Sequence, residues 1–214
     1  MSFRYALKGF IDYPERYTHD VIFYDSDVVI VRDKFPKSQG HLLVMPRDSD
    51  ITDLDPTLID NKIKSKLQPA IDRALDVIYK EFHERYGLKE SSRKKPFLTN
   101  AEYENKQYFI DNFTQVGIHG APSMNNLHVH IMTRDFKSPS LKNKKHFNSF
   151  TTEFFVNWVK LPLNQKPDET FLEKIVIKQT EMKCVYCGQN FKNRFSELKL
   201  HLDREFTMRF ENRN

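Results

Sequence analysis

Apolar residues recur at spacings of three and four between Leu58 and Tyr86, which is the longest helical pattern in the chain. Gly87 follows this pattern as a C-terminal stop, and Pro69 inside it predicts a kink or a break. Further helices are predicted over residues 2–10 and 193–208. The repeating apolar positions of the long helix are Ile59, Ile63, Leu67, Ile71, Leu75, Ile78 and Phe82.

Short apolar runs bounded by turn residues predict strands elsewhere in the chain. Two of them are separated only by Asp25-Ser26-Asp27, which predicts a hairpin. Hairpins, one long helix and later strands together predict an α+β fold with an antiparallel sheet. The predicted strands are Val21–Tyr24, Val28–Val31, His41–Met45, Phe113–Ile118 and Leu127–Met132.

Composition narrows the class of protein. Of the 214 residues, 39% are hydrophobic and 13% aromatic, which is enough for a packed core. Two cysteines cannot form a disulfide framework, and no apolar run approaches the ~20 residues of a membrane helix. We therefore expect a soluble intracellular protein without a membrane partner. The net charge of +5 permits a polyanionic partner without requiring one.

The segment from Asn126 to Met132 carries the densest chemical signal. In a strand, alternate side chains share a face. Asn126, His128 and His130 are therefore predicted to lie side by side on one face of the strand, while the opposite face is buried in the core. One interpretation is a set of polar positions on a half-exposed strand, and a second is a metal site. The third is nucleophilic catalysis, in which one imidazole attacks phosphorus. His119 lies nearby along the chain.

Cys184 and Cys187 form a CxxC whose spacing to His201 is that of a zinc finger, with 13 residues in between. Glu205 follows His201 by four residues on one helix face and is the expected fourth ligand. The alternative is that Glu205 is a solvated helix residue, and a redox CxxC remains a weaker interpretation. Phe191 and Leu198 are predicted to form the small core of a unit that needs zinc to fold.

These motifs together resemble the histidine-triad family, and within it the aprataxin branch. The pattern His-φ-His-φ-His-φ-φ is matched at 126–132, except that Asn126 replaces the first His. The resemblance also rests on the C-terminal finger and on the segments Arg32–Lys37, His41–Pro46, Val116–Met124 and Lys142–Phe150. It implies the short fungal form, which has no forkhead-associated domain.

The resemblance implies a hydrolase that removes AMP from 5′-adenylated DNA left by abortive ligation, at nicks and at double-strand ends. His128 is then the nucleophile and forms an adenylyl-histidine, His130 stabilises the transition state, and His119 assists the leaving group. Zinc is structural, one ion is bound by Cys184, Cys187, His201 and Glu205, and no metal serves the chemistry. The implied nucleotide contacts are Asp33, Ser123, Met124 and Asn126, and the implied DNA contacts are Phe3, Arg4, Tyr5, Lys37, His41, Lys142 and Lys145.

Each of these roles has an ordinary structural alternative. His119 and Asp33 could be turn residues, the lysines a solvated basic loop, and the N-terminal aromatic residues part of the core. We expect a catalytic domain over residues 1–155, a connector over 156–180 and a finger over 181–214.

The resemblance further implies a monomer that works in the nucleus, and it leaves the cytoplasm open as a second location. Two competing functions remain at this point. One is a general histidine-triad hydrolase of small adenylated nucleotides, and the other is a non-catalytic zinc-finger DNA-binding protein with a degenerate triad.

Overall fold

The computed structural model describes residues 3–90 and 94–213 of the chain. The central element of this part of the chain is a six-stranded antiparallel sheet. Its strand order is β1-β2-β3-β6-β5-β7, while β4 pairs with β10 and β8 pairs with β9. The strands are β1 (Val21–Tyr24), β2 (Val28–Arg32), β3 (His41–Pro46), β4 (Tyr86–Leu88), β5 (Thr114–His119), β6 (Val129–Thr133), β7 (Phe155–Asn157), β8 (Met182–Lys183), β9 (Asn190–Lys192) and β10 (Phe210–Asn212). The predicted α+β fold and its first hairpin are confirmed.

Helices cover both faces of this sheet. They are α1 (Lys8–Asp12), α2 (Ser49–Thr52), α3 (Asn61–Arg85), α4 (Asn100–Glu104), α5 (Lys106–Phe113), α6 (Lys144–Thr151), α7 (Glu169–Phe171), α8 (Ile177–Gln179) and α9 (Phe195–Arg209). A π-helical turn, Leu172–Val176, joins α7 to α8. Single 3-10 turns lie at Phe3–Tyr5, Pro14–Arg16, Pro56–Leu58 and Trp158–Lys160. Along the described part of the chain, no helix has the length and apolar character that a membrane span requires.

The long helix α3 continues through Pro69, so the predicted split does not occur. Proline removes one N–H from the helix and leaves the carbonyl of Ser65 without its usual donor. Both Pro69 and Ser65 are exposed, so water can solvate that carbonyl. Burial of Leu67 and Ile71 on the opposite side holds the helix against the sheet.

Alternation along the strands divides the sheet into two faces. Leu42 and Val44 of β3 and Val129 and Ile131 of β6 pack with α3 in the main core. The intervening side chains therefore point to the other face, and these include His41, His119 and His130. The N-terminal segment covers part of this second face, where Leu7 and Ile11 pack against Leu43 and Met45.

The C-terminal finger shares its core with the rest of the chain. Leu198 and Leu202 of α9 pack in one cluster with Phe147 and Phe150 of α6, and Phe206 joins the main core. Strand β10 also pairs with β4, directly after α3. Phe191 and Leu198 are buried in one cluster, as predicted, but this core is larger than expected, because it also contains Phe136, Phe147 and Phe150 from outside the finger.

The region predicted as a connector is structured. It contributes the end of edge strand β7, and its helix packs Leu172, Val176 and Ile177 against Ala121 and Phe154. The N-terminal helix predicted over residues 2–10 is a 3-10 turn followed by α1, and Ser2 lies outside the described residues. The sequence reasoning assigned no helix to α4 and α5.

Candidate active site

Four imidazoles meet on the sheet face opposite α3. The register places His130 of β6 between Leu43 of β3 and Gly117 of β5. Around the ring of His130, the ring centroids of His119, His128 and His41 lie at 4.6, 4.9 and 5.2 Å. His41, His128 and His130 are buried and His119 is half-buried, and the rings of His119, His128 and His130 line one pocket. The alternation argument is therefore correct for His128 and His130, and pairing with neighbouring strands adds two more rings.

A chain of hydrogen bonds fixes the proton positions on His41 and His130. The backbone N–H of Lys37 donates to Nδ1 of His41 at 3.1 Å, so the proton of the neutral His41 ring is on Nε2. That Nε2–H lies 3.0 Å from Nδ1 of His130, which must accept. The proton of His130 is consequently on Nε2. This atom is buried, and no described group accepts a hydrogen bond from it.

His128 is in the opposite tautomer, with its proton on Nδ1 and not on Nε2. Its Nδ1 lies 2.7 Å from the backbone carbonyl oxygen of Asn126, so Nδ1 carries the proton and donates. Nε2 then holds a lone pair, and the ring lines the pocket. An imidazole held in this way is a nucleophile with its attacking nitrogen already deprotonated.

Burial keeps these rings neutral. Desolvation lowers the pKa of His41 to about 4, only partly opposed by the nearby Asp33 carboxylate. It also lowers the pKa of His128, and it lowers the pKa values of His119 and His130 well below the usual range. The tautomers set by hydrogen bonding are therefore the species present at neutral pH.

The same proton arrangement argues against a metal ion among Asp33, His41 and His130. Their donor atoms lie within 4.8 Å of one another, which is close enough for a shared ion. However, the Lys37 N–H occupies Nδ1 of His41 and leaves the proton on Nε2, the atom that would have to bind the metal. The metal interpretation of the histidine motif is thus disfavoured by the hydrogen bonds.

The imidazoles form the floor of a pocket of about 430 Å³. Asp33 and Lys37 come from the loop after β2, Lys142 from the loop before α6, Lys145 from the first turn of α6, and Ser123 from the loop before β6. The predicted site residues that line this pocket are His119, His128, His130, Asp33, Ser123, Met124, Lys37, Lys142 and Lys145. Desolvation and the nearby Lys142 lower the pKa of Lys37.

Two predicted site residues are placed differently. His41 is fully buried behind His130, so it cannot be a surface contact to DNA, and the prediction is corrected to a residue that orients His130. Asn126 turns its side chain away from the pocket, and its Nδ2 donates to Asp53 at 2.9 Å. Asn126 lies three residues before strand β6, which begins at Val129, and the alternation that still holds for His128 does not extend back to it.

The N-terminal residues border the pocket without lining it. The carbonyl oxygen of Arg4 accepts from the N–H of Asn125 at 2.9 Å, which fixes this turn beside the Ser123–Asn126 loop. Tyr5 is 43% exposed and is free to meet a partner. Phe3 belongs to the same turn, but its side chain lies outside the described residues.

Several pocket residues were missed by the sequence reasoning. His146 lies in the segment Lys142–Phe150, but no role was predicted for it. Its Nδ1 accepts a hydrogen bond from the backbone N–H of Lys142 at 3.2 Å, and its ring lines the pocket. The positively charged run before it was the available signal. The other missed lining residues are Phe35, Ala121, Ser140, Ser149, Phe150, Phe154 and Glu173, which no local pattern distinguishes from core or surface positions.

A second cluster lies in the finger. Donor atoms of Cys184, Cys187 and His201 all lie within 4.8 Å of one another, and Sγ of Cys187 is 3.2 Å from Nε2 of His201. Two thiolates and an imidazole are the donor set that zinc prefers, so these residues fit a structural zinc ion.

Glu205 lies next to this cluster. Its Oε1 is 3.4 Å from Nε2 of His201, and its other carboxylate oxygen accepts from Arg209. A carboxylate that is buried and supported from behind by a guanidinium is typical of a metal ligand with an outer-shell partner. The predicted set of four ligands is thus compatible with the structure.

Comparisons with known proteins agree with this picture. The family described as "HIT domain" matches residues 15–137, and the family "C2HE / C2H2 / C2HC zinc-binding finger" matches residues 151–208. The first match covers five of the six strands of the sheet, all except β7, together with the four histidines of the site, and the second covers β7 and all four finger residues.

Full-length relatives extend the similarity. An aprataxin-like protein of Saccharomyces cerevisiae is 43% identical over 99% of this chain and 99% of its own. One of Schizosaccharomyces pombe is 41% identical over 96% of this chain and 82% of its own. A crystal structure of the aprataxin ortholog Hnt3 in complex with DNA superposes with a TM-score of 0.76 at 39% identity, covering 95% of this chain and 94% of that one.

Proposed function

The chain belongs to the histidine-triad family and to its aprataxin-like branch, and on this basis we propose that it hydrolyses 5′-adenylated DNA to AMP and 5′-phosphorylated DNA. The observation that carries the proposal is the paired tautomers on the pocket floor. His128 presents a lone pair on Nε2, and His130 presents an N–H beside it. A nucleophile next to a hydrogen-bond donor is the arrangement that phosphoryl transfer requires.

The reaction proceeds in two displacements. Nε2 of His128 attacks the phosphorus of the AMP group, the N–P bond forms, and the P–O bond to the 5′-phosphate of the DNA breaks. The DNA leaves with the bonding electron pair on its phosphate oxygen. Water then attacks the adenylyl-histidine, breaks the N–P bond and releases AMP, which restores the neutral His128.

The neighbouring histidines serve the charge that develops in these steps. Nε2–H of His130 donates to a non-bridging phosphate oxygen, and its buried position strengthens that hydrogen bond. Nε2 of His119 is also buried without a partner among the described groups, and it is proposed to assist the leaving phosphate.

The rim of the pocket supplies substrate contacts. Asp33, which is 16% exposed at its side chain, is proposed to accept hydrogen bonds from the ribose hydroxyls. Ser123 and the backbone at Met124 are proposed to bind phosphate. Lys37, Lys142 and Lys145 are proposed to meet the DNA backbone, and the N-terminal turn carrying Tyr5 to stack at the DNA end.

The finger is proposed to hold one structural zinc ion through Cys184, Cys187, His201 and Glu205. Bound zinc would supply a cross-link between the middle of α9 and the β8–β9 hairpin. Residues 183–214 carry seven basic and four acidic side chains, which suits contact with a phosphate backbone. The crystal structure of the similar aprataxin ortholog Hnt3 in complex with DNA supports this role. We propose that the protein acts as a monomer in the nucleus.

A gel assay of AMP release tests the proposal. Nicked DNA with a labelled 5′-adenylate is compared with an adenosine phosphoramidate, using the full chain and His128→Ala. We expect rapid release from DNA, an acid-labile labelled protein adduct, and neither with His128→Ala. Intact deadenylation by His128→Ala would overturn the assignment of the nucleophile. Preference for the phosphoramidate would instead support a general nucleotide hydrolase.

A further inference from the structure

Phe150 contacts three of the four imidazoles. Its ring centroid lies 4.7 Å from that of His119, and it meets His130 and His41 edge-on at 5.1 and 5.5 Å. Phe150 comes from the last turns of α6, not from the strands that carry the histidines. Phe150 therefore packs against the catalytic rings from a separate element of the fold.

The orientation of the His119 ring depends on Phe150 more than the orientations of the neighbouring imidazoles do. Hydrogen bonds fix the rings of His128 and His130, whereas within the described residues the side chain of His119 makes none. Its orientation is set by packing among rings, with Phe154 at 5.2 Å and Phe155 at 6.2 Å beside Phe150 and His130. A shift of Phe150 would thus turn His119 first.

On its other side, Phe150 belongs to the core of the finger. One continuous buried cluster joins Phe150 and Phe147 of α6 to Leu198 of α9 and to the metal-site residue Cys184. The Nζ of Lys144, also on α6, donates to the side-chain oxygen of Asn193, just before α9, and to the backbone carbonyl oxygen of Lys178 at 2.6 Å. Helix α6 therefore contacts the finger at its first residue through Asn193 and further along through the buried rings of Phe147 and Phe150.

We propose that Phe150 is a positioning residue through which the folded, zinc-loaded finger sets the geometry of His119 and His130. The finger then controls the nucleotide chemistry itself, in addition to any contact it makes with DNA. This inference rests on the proposed hydrolase function only for its kinetic test. Packed interiors transmit such displacements because they contain few voids that could absorb them.

The first test uses an adenosine phosphoramidate, a substrate without DNA. Phe150→Leu keeps an apolar side chain but removes the ring edges that face the imidazoles. We expect kcat to fall about 10-fold with KM changed less than about twofold, since a small misplacement of a catalytic group is costly. Phe109→Leu is the matched control, because Phe109 is equally buried but lies among aromatic rings on the other face of the sheet. An equal loss of kcat in both variants would overturn the proposal.

The second test perturbs the finger from a distance. Leu198→Ala opens space in the shared cluster without touching a metal ligand, and Leu200→Ala alters an exposed position on the same helix. We expect Leu198→Ala alone to lower kcat on the phosphoramidate, at a temperature where both variants remain folded by circular dichroism. If Leu198→Ala weakens only DNA binding and leaves this kcat intact, the finger does not act on the pocket.

NMR of the histidine rings tests the coupling without relying on enzyme activity. Histidine ring signals of the full chain are followed by NMR in Leu198→Ala and after zinc removal with a chelator, at a temperature where the sheet domain remains folded. Among the pocket histidines, we expect the His119 signals to shift most, whereas those of His83, on the other face, should stay; His201, a proposed zinc ligand, is left out of this comparison. Unchanged His119 signals would refute the coupling. If wild-type protein releases no AMP but His119 shifts, the proposed function fails while the coupling stands.

Discussion

Replacing His41 by Phe tests the hydrogen-bond chain that orients His130. The phenyl ring is somewhat larger than the imidazole and lacks both ring nitrogens. The side chain of His41 is 0% exposed, so water cannot replace them. The Lys37 N–H then loses its acceptor and Nδ1 of His130 loses its donor, bonds of 3.1 and 3.0 Å. Each buried group left unpaired costs about 1–3 kcal/mol, so the two together are expected to lower the free energy of unfolding by about 2–6 kcal/mol.

The rate effect follows from the tautomer of His130. If both tautomers become equally populated, the reactive fraction falls about twofold, and complete loss of a transition-state donor costs about 10²–10³-fold. We expect His41→Phe to lie between these limits, near 10-fold in single-turnover AMP release. His83→Phe is the matched control, since His83 is also buried and hydrogen-bonds Tyr79 and Tyr103 on the other face of the sheet. A rate for His41→Phe within twofold of wild type, with His130 still protonated at Nε2 by NMR, would refute the relay.

Three further predictions concern stability and metal binding. The free energy of unfolding should fall as pH drops from about 6.5 towards 4, because burial lowers the pKa values of the site histidines and the unfolded chain binds more protons there. His41, with its pKa near 4, accounts for about 3 kcal/mol of this fall in the free energy of unfolding. Asp135, whose pKa burial raises to about 6, opposes the trend. Urea titrations that show no loss of stability by pH 4.5 would contradict the prediction. Glu205→Gln should weaken zinc binding at least about 10-fold in competition with a chromophoric chelator, and an unchanged affinity would make Glu205 an ordinary helix residue. Gly117→Ala should destabilise by about 1–3 kcal/mol in urea because its Cβ would lie 2.3 Å from the Val156 carbonyl oxygen, whereas Gly87→Ala meets only the flexible Arg213 side chain and should cost less.

Local patterns predicted the parts of the site that lie on one strand. The two-residue period identified the shared face of His128 and His130, and the spacing of Cys184, Cys187 and His201 identified the metal cluster. The period held for His128, directly before β6, but failed at Asn126, because nothing in the sequence marks where the extended backbone before Val129 begins. Strand boundaries depend on pairing partners, which are distant in the chain.

Residues brought in by distant pairing could not be found in this way. His41 reaches His130 only because β3 pairs with β6, and Phe150 reaches the rings only because α6 packs across the sheet edge. Helices α4 and α5 did carry local signals, since the side chains of Thr99 and Asn105 accept hydrogen bonds at their N-termini. Polar capping residues before a weakly amphipathic run were the available evidence for these two helices.

The arrangement of charge explains why the imidazoles are buried and the lysines are not. A cationic floor would bind the released phosphate tightly, whereas neutral rings with assigned tautomers offer a lone pair on His128 and a proton on His130 without net charge. Positive charge is instead kept at the rim, where Lys142 and Lys145 are exposed and can attract a polyanion from solution. Because hydrogen bonds rather than solvent pH determine which nitrogen carries the proton, the rate of the chemical step should be nearly constant from about pH 6.5 to 8. A rate that instead rises or falls steadily across this range would mean that a site histidine changes charge during the cycle.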